Sequence, residues 1–234
     1  MNELGIATEK VELLVADGTR MAAYVARPKD GGAHPGLLVL QEAFGVNHHI
    51  RNVTERFAAV GYVAIAPELF HRTAPGFEGS YTDFAAVMPH MQAVTTETAE
   101  ADVRSAYEWL RSSAKASEVS SVGFCMGGRT SFIANSIVAL RAAVSFYGGG
   151  IAPGLLGRAA KLQAPSLFIW GGLDKHIPPE QRRAVTDALS AEKKIYVNAE
   201  FSRADHGFFC DERATYEPHS AKQAWALTLE FLRS

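Results

Sequence analysis

Cysteine, net charge and long apolar runs are all scarce in this chain. Among 234 residues there are only two cysteines, Cys125 and Cys210. They could form one bridge, but two thiols in a chain without a visible export signal are expected to be free. Twenty-three Lys and Arg stand against 25 Asp and Glu, a net charge of -2. A nucleic-acid-binding domain normally carries a basic patch and a pI above ~9, so no nucleic-acid partner is expected. No apolar run approaches the roughly 18–20 residues that cross a bilayer, so no membrane partner is expected either. The first residues, Met1 to Gly5, lack the basic-then-apolar order of a secretory signal, and the expectation is a cytoplasmic protein. Internal repeats, low-complexity tracts and composition breaks are missing too, which favours one domain over residues 1–234.

What is present is a regular alternation. Val11 to Val15 and Met21 to Ala26 flank Asp17-Gly18, a dipeptide suited to the positive φ of a tight turn, and read as an antiparallel hairpin. Short continuous apolar runs then follow at 36–40, 62–66, 119–124, 142–146, 166–170 and 195–197, as expected of strands buried on both faces. Between most of them lie amphipathic helices. His49 to Val60 aligns Ile50, Val53, Phe57 and Val60, and Thr98 to Arg111 aligns Ala99, Val103, Ala106 and Leu110. Met126 to Ala139, Pro179 to Leu189 and a terminal stretch through Ala221, Trp225, Leu229 and Leu232 complete the set. The predicted fold is α/β: a mostly parallel central sheet with an N-terminal antiparallel hairpin and helices on both faces. The segment from His71 to Thr95 fits least well. It reads as a lid or pocket wall, or equally as a surface loop with a short helix.

The strongest chemical signal is Gly123-Phe124-Cys125-Met126-Gly127-Gly128, between a predicted strand and a predicted helix. That is the context of a nucleophile elbow, with Cys in the place of Ser. The turn crowds the residues two before and two after the nucleophile, so those positions favour glycine. The helix starting at Met126 directs N–H groups and its positive dipole end at the sulfur. On such a fold the acid and then the histidine follow along the chain. Asp174 comes directly after a buried strand, where open α/β sheets bind ligands, and His206 lies in a loop after the next one. A helix cap for Asp174 and a packed loop role for His206 are each credible alone; their joint order is harder to dismiss.

These features, with Gln41-Glu42-Ala43-Phe44-Gly45, Ala66-Pro67-Glu68-Leu69-Phe70 and His206-Gly207-Phe208, resemble the dienelactone hydrolases of the α/β-hydrolase superfamily over nearly the whole length. The resemblance implies hydrolysis of a small ester or lactone through a thioester, without metal or organic cofactor, by a monomer or homodimer. It implies Cys125 as nucleophile, His206 as base, Asp174 as the group orienting it, and an oxyanion hole from the backbone N–H of Met126 and Ala43. Glu42 would be the family's extra acid, a carboxylate beside the thiol. Substrate contacts would fall to Phe44, Arg72, Tyr81 and Arg213. One departure stands out: the family's Arg four residues after the histidine is Cys210 here, so the triad carries over more safely than the dienelactone substrate.

Other readings carry less weight. A glutaminase-like cysteine site would place its acid two residues after the histidine, where Phe208 stands. His48, His49 and His71 are not at metal-ligand spacing, and Gly148-Gly149-Gly150 lacks a dinucleotide fingerprint. The alternative from another class is a non-catalytic binding protein or thiol sensor that keeps the fold.

Overall fold

The computed structural model describes residues 5–234, so the N-terminal residues Met1 to Leu4 that bear on an export signal lie outside it. Eight strands follow the order β1-β2-β4-β3-β5-β6-β7-β8. Two compact units divide between Ser121 and Val122, inside one of these strands. Among the described residues no helix is long and apolar enough to cross a membrane.

The first unit opens with β1 (Ile6–Leu14) and β2 (Arg20–Pro28), paired antiparallel from Ile6 opposite Pro28 to Leu14 opposite Arg20. Their turn is the expected one. Gly18 has φ +84°, and the Asp17 carboxylate accepts from the Thr19 N–H at 3.0 Å. β3 (Gly36–Leu40) and β4 (Val63–Pro67) are short, parallel and buried along their whole length. β2 also pairs antiparallel with β4. α1 (His48–Ala59) is capped by Asn47, whose side chain accepts from the Ile50 N–H. α3 (Thr96–Ser112) is capped the same way by Thr95.

The 71–95 segment contains α2 (Phe84–Ala93), with Asp83 as its N-cap. Only Val87 of this helix is buried, and Pro89 interrupts its interior. A helix with so narrow an apolar stripe has little periodicity to display, which is why the sequence left its form open. The segment is clamped to the loop after β3. The Gly79 N–H donates to the Phe44 carbonyl at 3.0 Å, and Asn47 donates to the Tyr81 hydroxyl at 2.8 Å. Arg51 forks onto both oxygens of Glu78. Phe44 packs edge-on to Tyr81 with ring centroids 4.6 Å apart, and Ala43, Val87, Phe77 and Met91 complete the cluster.

The second unit takes β5 (Val119–Phe124) from its Val122 onward. It continues with α4 (Met126–Ile137), β6 (Ala143–Phe146), β7 (Ser166–Gly171), α5 (Pro179–Ala191), β8 (Tyr196–Phe201) and α6 (Pro218–Arg233). β6, β7 and β8 are parallel, with Ala143 opposite Ser166 and Ser166 opposite Tyr196. Asn135 ties α4 to the start of β7. Its amide donates to the Ala164 carbonyl and accepts from the N–H groups of Gln163 and Ala164. The last strand departs from the expected buried run at 195–197. Ile195 is 73% exposed and lies outside β8, and Val197 is half-exposed. β8 is the end strand of the sheet, with β7 as its one neighbour, so it lacks the two-sided cover of the interior strands.

Gly45 decides whether the clamp in the first unit can form. It has φ +80°, and a Cβ there would lie 1.9 Å from the Phe77 carbonyl oxygen. Gly45→Ala should cost more than about 2 kcal/mol in urea unfolding. Gly61→Ala, at φ +105° with nothing near its would-be Cβ, carries the backbone strain alone and should cost clearly less. Equal losses would mean that the contact at Phe77 contributes nothing.

Candidate active site

Cys125 sits between β5 and α4 with φ 54° and ψ -115°, a conformation rare for a residue with a side chain. The backbone holds it there. The Cys125 N–H donates to the Phe146 carbonyl at 3.0 Å, and the Cys125 carbonyl accepts from the Gly128 N–H at 2.9 Å. The turn is too tight for side chains on its flanks. A Cβ on Gly123 would lie 1.9 Å from the Gly127 oxygen, and one on Gly128 would lie 2.7 Å from the Phe146 oxygen. Met126 is the first residue of α4, so its N–H is among those that a helix start leaves without an intrahelical acceptor.

Asp174 and His206 are brought together by a similar backbone contact. The Gly172 N–H donates to the Phe201 carbonyl, and the Leu173 N–H donates to the Ala204 carbonyl. A Cβ on Gly171 would lie 2.7 Å from the Ala204 oxygen, so the two loops approach more closely than any side chain would permit. Asp174 is buried and uses both oxygens. One accepts the backbone N–H groups of His176 and Ile177; the other meets His206 Nδ1 at 2.8 Å. Cys125 acts on the same ring, being among the influences that raise the His206 pKa. The structure joins His206 and Asp174 directly, with Cys125 at the head of α4 as a further influence on the imidazole.

The electrostatics follow from these neighbours. Burial works against a charged His206, but hydrogen bonds to Asp174 and Cys125, together with their charges, outweigh it and lift the imidazole to about 10. Burial likewise opposes the Asp174 carboxylate. The His206 hydrogen bond and charge, with the His176 N–H, prevail and hold Asp174 below its ordinary value. The Asp174–His206 pair is thus held as carboxylate and imidazolium.

Two neighbours of these residues are not singled out by motif or spacing. Tyr147, at φ 37° just past β6, lies with its ring centroid 5.1 Å from that of His206. His176, exposed, meets His206 edge-on at 5.3 Å. His176 lies two residues after Asp174, and Tyr147 ends a buried run. Those positions at strand ends were the available signal.

The other expected site residues stand as follows. Glu42, Ala43 and Phe44 follow β3 in the first unit, and all three are buried. Phe44 and Tyr81 share the aromatic cluster already described. Arg72, expected as a substrate contact, is engaged by two carboxylates of the first unit. Its guanidinium forks onto Asp102 at 2.8 and 2.9 Å, and its Nε donates to Asp17 at 2.8 Å. Fully buried Asp102 leaves that guanidinium committed to a carboxylate partner. Arg213 lies over Gly207, where a Cβ would fall 2.1 Å from its Nη1. Gly207, at φ +76°, leaves room for that guanidinium directly beside His206.

A nucleophile-type elbow after a central strand, with an acid and a histidine following later strands, defines the α/β-hydrolase class of fold. A family model for the dienelactone hydrolase family matches residues 21–234. The chain belongs to that family. It is 38% identical to a protein of Synechocystis provisionally named a carboxymethylenebutenolidase, over 88% of each chain. It is 34% identical to one so named from Salmonella typhimurium, over 97% of this chain and 87% of that one. Among solved structures, a provisionally assigned dienelactone hydrolase from Klebsiella pneumoniae superposes with a TM-score of 0.88 at 31% identity, covering 98% of this chain and 99% of that one.

The raised His206 sets a pH signature for stability. A folded value of about 10, against an ordinary 6.5, means that its contribution is complete below pH 6.5 and is lost as pH rises towards 10. Thermal unfolding of the native chain should therefore fall by a few degrees relative to His206→Gln across that window. Parallel curves would show that the imidazolium is not held as described.

Proposed function

We propose that this chain is a single-domain hydrolase of small esters or lactones that works through a thioester at Cys125. The observation that carries this reading is the His206–Asp174 hydrogen bond, together with a Cys125 held at positive φ at the head of α4 and acting on the same imidazole. Its support from outside the site is the membership of a family whose named relatives are carboxymethylenebutenolidases.

In the first half-reaction the Cys125 sulfur adds to the substrate carbonyl carbon, and the carbonyl electrons move onto oxygen. The Met126 N–H, at the positive end of α4, is aimed at that oxyanion. By resemblance, the reading gives the Ala43 N–H a share of the same charge and gives the Glu42 carboxylate a role at the thiol. When the oxyanion collapses, the C–O bond to the leaving group breaks, and the departing alkoxide takes the proton held on His206. The product is a thioester and a neutral imidazole.

The second half-reaction depends on a change in the forces on His206. Two of the influences that lift its pKa are the hydrogen bond to Cys125 and the charge there. Acylation of the sulfur removes both. His206 is then held up by Asp174 alone and is released toward a base suited to taking a proton from water. The hydroxide equivalent adds to the thioester, and collapse expels the sulfur and frees the acid. Asp174 keeps Nδ1 protonated throughout and so fixes which ring nitrogen does the work.

Phe44 and Tyr81 are the residues this reading assigns to the substrate's apolar part, with Arg213 as a further contact. Arg72 is not used, because its fork is held by Asp102 and Asp17.

Cys125→Ala should lower the hydrolysis of p-nitrophenyl acetate by about 10³-fold or more while leaving the unfolding midpoint nearly unchanged. In His206→Ala the acyl group should accumulate on Cys125 and be visible as an added mass. An unchanged rate in the Cys125 variant would refute the proposal. Labelling of Cys125 by thiol reagents with no turnover across an ester and lactone panel would favour a thiol sensor instead.

A further inference from the structure

Arg129 is a cation on the elbow's own helix that this reaction scheme leaves without a task. From Val119 to Ser136 every residue is buried except Cys125 and Arg129, which both keep part of their surface. They are joined through the backbone, since the Arg129 N–H donates to the Cys125 carbonyl at 3.3 Å. The Arg129 side chain runs along the loop after β6. A Cβ on Gly150 would meet its Cδ at 3.4 Å and its Nη1 at 3.6 Å. The preceding residue, Gly149, faces Ile177, whose Cγ1 would lie 3.6 Å from a Cβ there. The 149–150 backbone therefore runs between Arg129 and the loop that carries Asp174. Burial pushes the Arg129 guanidinium down from its ordinary value, and the charge at Cys125 pulls it back up. Cys125 and Arg129 stand four residues apart, one helical turn, and are the two positions of this buried stretch that reach the surface, where a charge acts more strongly than in bulk water.

We propose that Arg129 is a positioning residue for Cys125, supplying the positive potential that holds negative charge on the sulfur and draws anionic electrophiles to it. The inference rests on the reading of Cys125 as the reactive thiol. A guanidinium suits the task because it stays charged when partly desolvated, as an ammonium or imidazole does not. It also adds to the partial positive charge of the α4 N-terminus without occupying the position of the attacking atom.

Alkylation tests this without relying on ester turnover. Iodoacetamide and iodoacetate both form a thioether on the sulfur and release iodide, and only the second carries a carboxylate. Rates at Cys125 are read by intact mass, with Cys125→Ala giving the background from Cys210. Arg129→Gln should lower the iodoacetate-to-iodoacetamide rate ratio by about tenfold, in keeping with the rate effects of local potentials. Arg129→Lys should retain most of the ratio. Added salt should lower the ratio in the native chain and leave it flat in Arg129→Gln. Equal slowing of both reagents in Arg129→Gln would mean that the side chain only props the elbow, and would overturn the proposal. An unchanged ratio with Cys125 labelled and hydrolysis intact would overturn the role of Arg129 alone. A Cys125 that takes up neither reagent would overturn this inference and the thioester reading together.

Discussion

At the ends of β5, β6 and β7, backbone meets backbone with no room for a Cβ. Gly123 lies on the Gly127 oxygen, Gly128 on the Phe146 oxygen, and Gly171 on the Ala204 oxygen. Everything distinctive about the second unit depends on these approaches. They put Cys125 into a positive-φ conformation, hold the start of α4 under it, and draw the loop of His206 against the loop of Asp174. A side chain at any of the three would push apart elements whose backbones are in direct contact. The strain of one residue at φ 54° is offset by the N–H and carbonyl bonds that Cys125 makes on both sides.

The same contrast of burial and partnership explains why two buried acids behave differently. Asp102 pairs with Arg72, yet burial pushes it up to about 6, since desolvation exceeds what one guanidinium returns. Asp174 is also buried, but one of its oxygens takes two backbone N–H groups and the other an imidazolium, and these hold it down. The first pair is an internal tie between β-hairpin turn, loop and α3 in its unit. The second joins the loop after β7 to the loop after β8.

Much of the architecture was legible because it is written in local periodicities. The runs at 36–40, 119–124 and 166–170 are strands buried along their whole length, and the stripes through Phe57 and Val103 are the buried faces of helices. The elbow was legible too, since its glycines announce a turn that excludes side chains. α2 was left open because its one buried residue and internal proline offer no stripe to read. β8 was misread at its start because exposure depends on how many strands flank it, and a run of three apolar residues carries no record of that.

The sequence by itself determined the order of elements, the Cys125 turn and the identity of the acid and base candidates. Each of these rests on neighbours along the chain: a glycine two residues away, an apolar run just before, a helix just after. The tertiary structure alone decided which side chains meet. It committed Arg72 to Asp102, laid Arg213 over Gly207, and set Tyr147 and His176 against the His206 ring. Those pairings join residues far apart in sequence, and nothing in local spacing encodes a contact that exists only once the loops are brought together.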